Sequence, residues 1–343
     1  MKSQSTLARA FRCTNLILPV LMVAVWIKAY TAIPMLALVA YVYISRRRFD
    51  YLRRRFWTLS RRWRNAASWV VAGLCAALAA HVTLTCFVTF AYVDFSAVGP
   101  DTEPRWTVIN RLHYGAARHA DDVRRYHRTH ATSHIKRGDV AIVDMWQATV
   151  RHDGCRYKAF RIAALPSDTI AISGGLTSVN SQPSPTDLHA TDRFRMRKYT
   201  PVADRRAIIR TAKHSMVDDE GETDLTMPVS QARLWKKYVY SKVPANYPDR
   251  RMFVHHNGIL LWNGQNLGPM LMPHKDLTMK MNHTLTEAYR TIVARHEGRT
   301  IEAGTTHTFA ADYYWLTADN RPDAIDSRFV GPVPESCIVA RED

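Results

Sequence analysis

Acidic residues are scarce in this sequence: 30 Asp and Glu stand against 47 Lys and Arg, a formal charge of +17 over 343 residues. Low-complexity tracts and internal repeats are missing, which excludes a long disordered chain and a solenoid. Cysteine is rare, with Cys13, Cys75 and Cys86 in or beside apolar runs and Cys155 and Cys337 further along. No small-residue cleavage site follows the first apolar run, so that run does not read as a removable leader. Apolar residues, by contrast, are plentiful: 47% of the chain is hydrophobic, enough for a sizeable core and more than one domain.

The apolar residues are unevenly placed. Residues 15–44, NLILPVLMVAVWIKAYTAIPMLALVAYVYI, and 66–88, AASWVVAGLCAALAAHVTLTCFV, each exceed the roughly 20 residues a helix needs to cross a bilayer. They predict two transmembrane helices. The intervening residues 45–65 hold nine arginines and one aspartate. Basic loops are retained on the cytoplasmic side, which places residues 1–14 and everything after the second span outside. Residues 1–95 carry 13 Lys and Arg against 2 Asp and Glu, leaving +6 for the remaining 248. The excess charge thus belongs to the membrane segment, and membrane lipid rather than nucleic acid is the expected partner. Cys155 and Cys337 fall in the exported part, where a disulfide between them can persist.

After Phe90 the runs FAYVDF, RWTVINRLHY, DVAIVDM, YKAFRIAAL, DTIAI and FVGPVP read as strands separated by turn residues. One helix is clear, in TLTEAYRTIVARHEG, with Leu285, Tyr289, Ile292 and Val293 on one face and Gly298 as its stop. From Pro183 to about Thr300 the chain turns polar and irregular. The expected fold is mainly β: a core of 89–183 and 300–343 with a subdomain inserted over 184–299.

Three stretches carry chemistry: ADNRPDAIDSRFVGPVPE (318–335), RIAALPSDTIAISGGLTSVNSQP (161–183) and IKRGDVAIVD (135–144). Together they resemble membrane-bound signal peptidase I, the serine endopeptidase that removes leader peptides from exported proteins. WNGQNLGPMLMPHKDLTMKMN and THTFAADYYWLTADNR look more particularly like its Bacteroidetes members. The agreement in the terminal box falls on Asp319, Asn320, Arg321, Asp323, Asp326, Ser327, Arg328, Gly331, Val333 and Pro334. The resemblance implies a signal peptidase I-like β-domain on the periplasmic side of a bacterial cytoplasmic (inner) membrane, multi-pass anchoring, and leader peptides of exported preproteins as partners. It implies no cofactor and no metal.

That family cuts with a Ser-Lys dyad. A serine hydroxyl is a weak nucleophile until a neighbouring base takes its proton, and lysine is such a base only where burial leaves it neutral. The resemblance puts Ser96 at the nucleophile position, with Ser133 a weaker candidate. It puts Phe160 at the general-base lysine and Ala324 at the serine that bonds that lysine, so both members of that contact become apolar. Asp94 falls where the family often has an oxyanion-hole hydroxyl, and its charge is expected to repel an oxyanion.

A broken dyad implies a weak or silent enzyme, a pseudoenzyme. Lys158, on the same strand face as Phe160, is the candidate displaced base. His127, His130 and His134, at helical spacing, suit a metal or a base but read as a solvated basic face. Three functions stay open: a weak or inactive peptidase, an active one using Lys158, and a non-enzymatic preprotein-binding or scaffold protein that works beside an active signal peptidase. The Asp and Arg residues of the box are expected to lock a loop against the sheet. FAYVDFSA is expected to form the edge to which a leader peptide adds as a strand.

Overall fold

The computed structural model describes residues 88–342 with short breaks at 100–102, 116, 119–121, 129–130, 150–153, 219–220, 246, 255–258 and 323, together with a few positions between 60 and 76. The span over 15–44 lies outside the described residues, as do nearly all of the Arg-rich loop 45–65 and of the span over 66–88, and Cys13, Cys75, Cys86 and His130. Among the described residues no helix is long and apolar enough to cross a membrane.

A seven-stranded sheet organises the chain. Its strands are β1 (Val88–Asp94), β2 (Arg105–Asn110), β3 (Val140–Asp144), β4 (Tyr157–Ala164), β5 (Tyr313–Thr317), β6 (Val333–Pro334) and β7 (Ile338–Arg341). β4 is the centre. One flank pairs antiparallel with β3, from Tyr157 opposite Asp144 to Arg161 opposite Val140. Two strands share the other flank: β1 runs parallel to its start, with Val93 and Asp94 beside Tyr157 and Lys158, and β5 runs antiparallel to its end, with Thr317 beside Arg161. Apolar clusters cover both faces, Phe160 and Ile162 on one and Ala159 and Ala163 on the other. This is why YKAFRIAA reads as a nearly continuous apolar run instead of alternating.

The stretch 184–299 distributes itself between two places. Thr191–Met196 pairs with Thr223–Pro228 and Val239–Tyr240 in a sheet edged by His214–Val217, and Phe194, Met196, Ile208, Leu225 and Met227 give that sheet its own core. Leu267–Leu271 instead pairs with Thr169–Ser173. The helix His283–Ile292 is capped by the Asn282 side chain, which accepts the Leu285 N–H, and the turn after it ends on Gly298 at φ 61°. Its buried face, Tyr289 and Ile292 with Val293 just beyond, packs with Ala163 and Trp315 of the main sheet.

The helical face expected of His127, His130 and His134 is not formed. His127 lies on a short hairpin, Ala117–Arg118 with His127–Arg128, and His134 lies in irregular chain. Tertiary bonds override the local spacing, since Arg128 reaches the Glu335 carboxylate and the Glu335 and Ile338 carbonyls. Cys155 and Cys337 remain thiols, and burial pushes the Cys337 thiol up to about 12.

Charged residues join the terminal box to the second sheet. Arg321, only 2% exposed at its side chain, donates to Asp187 Oδ1 at 2.6 Å and to the Gly175 carbonyl at 2.9 Å. Asp187 also accepts from Arg233 and from the Thr177 N–H. Asp326 accepts from the Ala318 N–H and the Arg328 N–H and Nε, and Arg328 turns back to the Arg321 carbonyl.

Two predictions follow from this packing. Asp187→Ala leaves a buried guanidinium without its counter-ion, and a loss of about 3–5 kcal/mol is expected. Urea unfolding at unchanged m-value measures it; a loss below about 1 kcal/mol would show that Arg321 is neutralised elsewhere. The second concerns His296, whose imidazole is pushed down to about 3 by burial, with Arg295 adding to the effect. The unfolded chain binds a proton near pH 6.5 that the native chain refuses, so stability is full above that pH and drains away as pH falls toward 3. His296→Phe should flatten this acid limb; an unchanged slope between about pH 6 and 4 would count against it.

Candidate active site

β1 and β5 approach the same flank of β4 from opposite directions, and their ends converge beside Phe160. The chain leaving β1 makes a tight turn through Ser96, closed by the Val98 N–H on the Phe95 carbonyl at 2.9 Å. The chain leaving β5 is the terminal box. They meet through the Ala97 carbonyl, which accepts the Asp319 N–H at 2.6 Å and the Asn320 N–H at 3.2 Å. Asp319 is itself held by a bidentate bond from Arg161 of β4, at 2.9 and 2.7 Å, a geometry that fixes orientation as well as distance. The box's backbone continues outward, with the Asp319 carbonyl accepting the Thr191 N–H and the Thr191 carbonyl accepting the Arg321 N–H.

Ser96 is exposed on this turn. Its N–H donates to Asp94 Oδ1 at 2.9 Å. Lys158 Nζ lies 3.1 Å from Asp94 Oδ2, with side-chain exposures of 13% and 11%. The strand register decides this pairing: Asp94 and Lys158 are direct partners across β1 and β4, and Phe160 stands two residues further along β4 on the face of Lys158. Burial alone raises the Asp94 carboxyl, but the Ser96 hydroxyl and amide and the Lys158 ammonium outweigh it and hold it below the usual value. The charge expected to repel an oxyanion is therefore offset by its neighbour. The Ser96 N–H, which could otherwise point at a developing oxyanion, is engaged with Asp94.

Phe160 is 1% exposed and packs with Ala97, Ala141, Val143, Ile162 and Leu316, and Ala324 packs against the same cluster. The crease beside it, lined by Met145, Phe160, Leu316, Ile325, Asp326, Ser327, Val330 and Val333, is too tight for a water molecule. Burying a ring of this size is worth about 1.5–3 kcal/mol. Ser327 is turned away from the turn, its hydroxyl accepting the Leu316 N–H at 2.9 Å. Ser133, the weaker serine candidate, donates its hydroxyl to the His113 carbonyl.

An exposed aromatic ladder borders the site. Phe90 and Tyr92 alternate with buried Ala91 and Val93, so they share the sheet face of Asp94. Across the register stand Val108 and Trp106, also exposed, and Phe90 stacks on Trp106 at 5.1 Å. β1 is not the sheet's edge as expected, because β2 pairs with it from Val88 to Val93. On its other flank, among the described residues, it pairs only through Val93 and Asp94. The sequence signal for the ladder was VTFAYVD, in which Phe90 and Tyr92 stand on one alternating set and Ala91 and Val93 on the other, so that the outer face carries aromatic residues up to Asp94.

Comparison with known proteins completes the assignment. No curated protein matches the chain. A family model described as signal peptidase, peptidase S26, matches residues 66–343, which include the Ser96 turn, the central strand and the terminal box. The chain belongs to the signal peptidase S26 family.

Proposed function

We propose that this protein is a signal peptidase I-type membrane protein whose cleavage of leader peptides is weak or absent. The observation that carries this reading is the Lys158–Asp94 salt bridge, 3.1 Å long and largely shielded from water. An ammonium in that setting has its proton stabilised, which is the reverse of what a lysine base requires. Phe160, at the position the family's lysine is expected to take, is sealed into an apolar cluster and cannot accept a proton. A positioned general base is worth about 10²- to 10⁴-fold, and a lost oxyanion donor about 10²- to 10³-fold.

On this reading the apolar runs 15–44 and 66–88 anchor the chain in a bacterial cytoplasmic membrane, and the β-domain stands on the periplasmic side. The ladder Phe90, Tyr92, Trp106 and Val108 offers an apolar surface beside Ser96 that needs no dyad. Its intactness favours, as a second reading, a preprotein-binding or scaffold protein acting beside an active signal peptidase. The alternative of Lys158 as a working base requires Asp94 to release it first.

The full chain, purified in detergent and given a standard preprotein, is expected to turn over at least about a hundredfold more slowly than an active signal peptidase assayed in parallel. Cleavage at ordinary rates that disappears in Ser96→Ala would overturn the proposal.

A further inference from the structure

The turn at Ser96 holds one group that no dyad with lysine requires. Asp94 sits two residues before the exposed serine, and its carboxylate accepts the serine amide at 2.9 Å. From β4 the charged group facing it is Lys158. From β2, Arg105, the register partner of Val93, is directed to the Phe95 ring at 4.4 Å and to Glu342. From β3, Asp144 is occupied by Arg156. Asp94 is thus a carboxylate proton acceptor held against Ser96 through one oxygen, and Lys158 orients it through the other.

We propose that Asp94 is the general base for Ser96 and Lys158 its positioning residue, so that the site keeps a slow acyl-transfer chemistry run by a carboxylate instead of an amine. The inference rests on the reading of a weakened signal peptidase and specifies the source of its residual activity. In the acylation step the Ser96 oxygen bonds the acyl carbon as its proton passes to the Asp94 carboxylate. The carbon's bond to the leaving group breaks, and the leaving group departs with the electron pair, taking the proton from Asp94 where it needs one. In deacylation Asp94 takes a proton from water, hydroxide adds to the acyl carbon, and the serine oxygen leaves as the alcohol. No oxidant, metal or further reactant enters.

A carboxylate and an amine differ in when they are able to accept a proton. A carboxylate base is ready at every pH above its own titration, so the rate is level through the neutral range and falls in acid; an amine base gives a rate that climbs with pH. The ammonium of Lys158 lowers the basicity of Asp94 and so slows the step while extending it to lower pH.

The test uses the full chain in detergent micelles and a 4-nitrophenyl ester of an N-blocked alanine dipeptide, a small-residue acyl donor with an easy leaving group. Acyl adducts are located by peptide mass, and Ser96→Ala corrects for labelling elsewhere. The expected result is an adduct on Ser96 whose rate of formation is level through the neutral range and falls only in acid. Asp94→Asn should lower that rate by about 10²-fold or more. Asp94→Glu, which keeps the carboxylate, should retain a Ser96 adduct, and Lys158→Met should move the acid limb upward. Absence of any Ser96 adduct, a rate that climbs through pH 8 to 10, or an acid limb indifferent to Lys158→Met would each overturn the assignment. Preprotein cleavage is a separate measurement, so ordinary signal peptidase turnover would refute the wider reading without deciding which group takes the proton.

Discussion

The arrangement depends on the junction made by Asp319. Its carboxylate is clamped by Arg161 of the central strand, its N–H holds the Ala97 carbonyl of the serine turn, and its own carbonyl receives Thr191 of the second sheet. Three segments distant in sequence are thereby fixed at one residue. A bidentate guanidinium–carboxylate contact tolerates little rotation, so the serine turn, β4 and the second sheet cannot shift independently. Arg321 and Arg328 extend the same logic, each bonded to a buried carboxylate and a backbone carbonyl.

Around that junction the chemistry of the serine turn is set by which strand row holds the cation. Lys158 stands beside Asp94, and two residues further along β4 the Phe160 ring is sealed into an apolar cluster with Ala97. A lysine in a dry cluster beside a hydroxyl sheds its proton easily; one beside a carboxylate does not. The two placements differ by about two residues along a strand, yet they favour opposite protonation states. The same displacement gives the serine a carboxylate neighbour, which is a poor base but one that is always ready at neutral pH.

An extended apolar face leads to the serine turn. Phe90, Tyr92, Trp106 and Val108 leave large apolar area in water on the face that leads to Ser96, and the flank of β1 before Val93 has no strand partner among the described residues. Exposed apolar surface of this kind is costly to keep unless something covers it. Binding through backbone groups and shallow apolar contacts makes no demand on a general base, so recognition and turnover are separable in this architecture.

Much of the fold could be read from the chain itself. The helix His283–Ile292 announces its period, its Asn282 cap and its Gly298 stop locally, and YKAFRIAA declares a strand buried on both faces, because such signals depend only on neighbours a few residues away. The box was visible as a dense charged motif, and FAYVDF as a strand leading to the serine. The hairpin at His127 was not, since bonds from Arg128 to Glu335 and Ile338 overrule a helical spacing. Nor was the place of Leu267–Leu271 beside Thr169–Ser173. That Asp94 meets Lys158, with Phe160 two residues further along β4, is a matter of register between strands more than sixty residues apart, and register is set by the whole sheet. Composition and motif determined what kind of protein this is; which atoms touch the serine was decided only when two strands closed on one flank of β4.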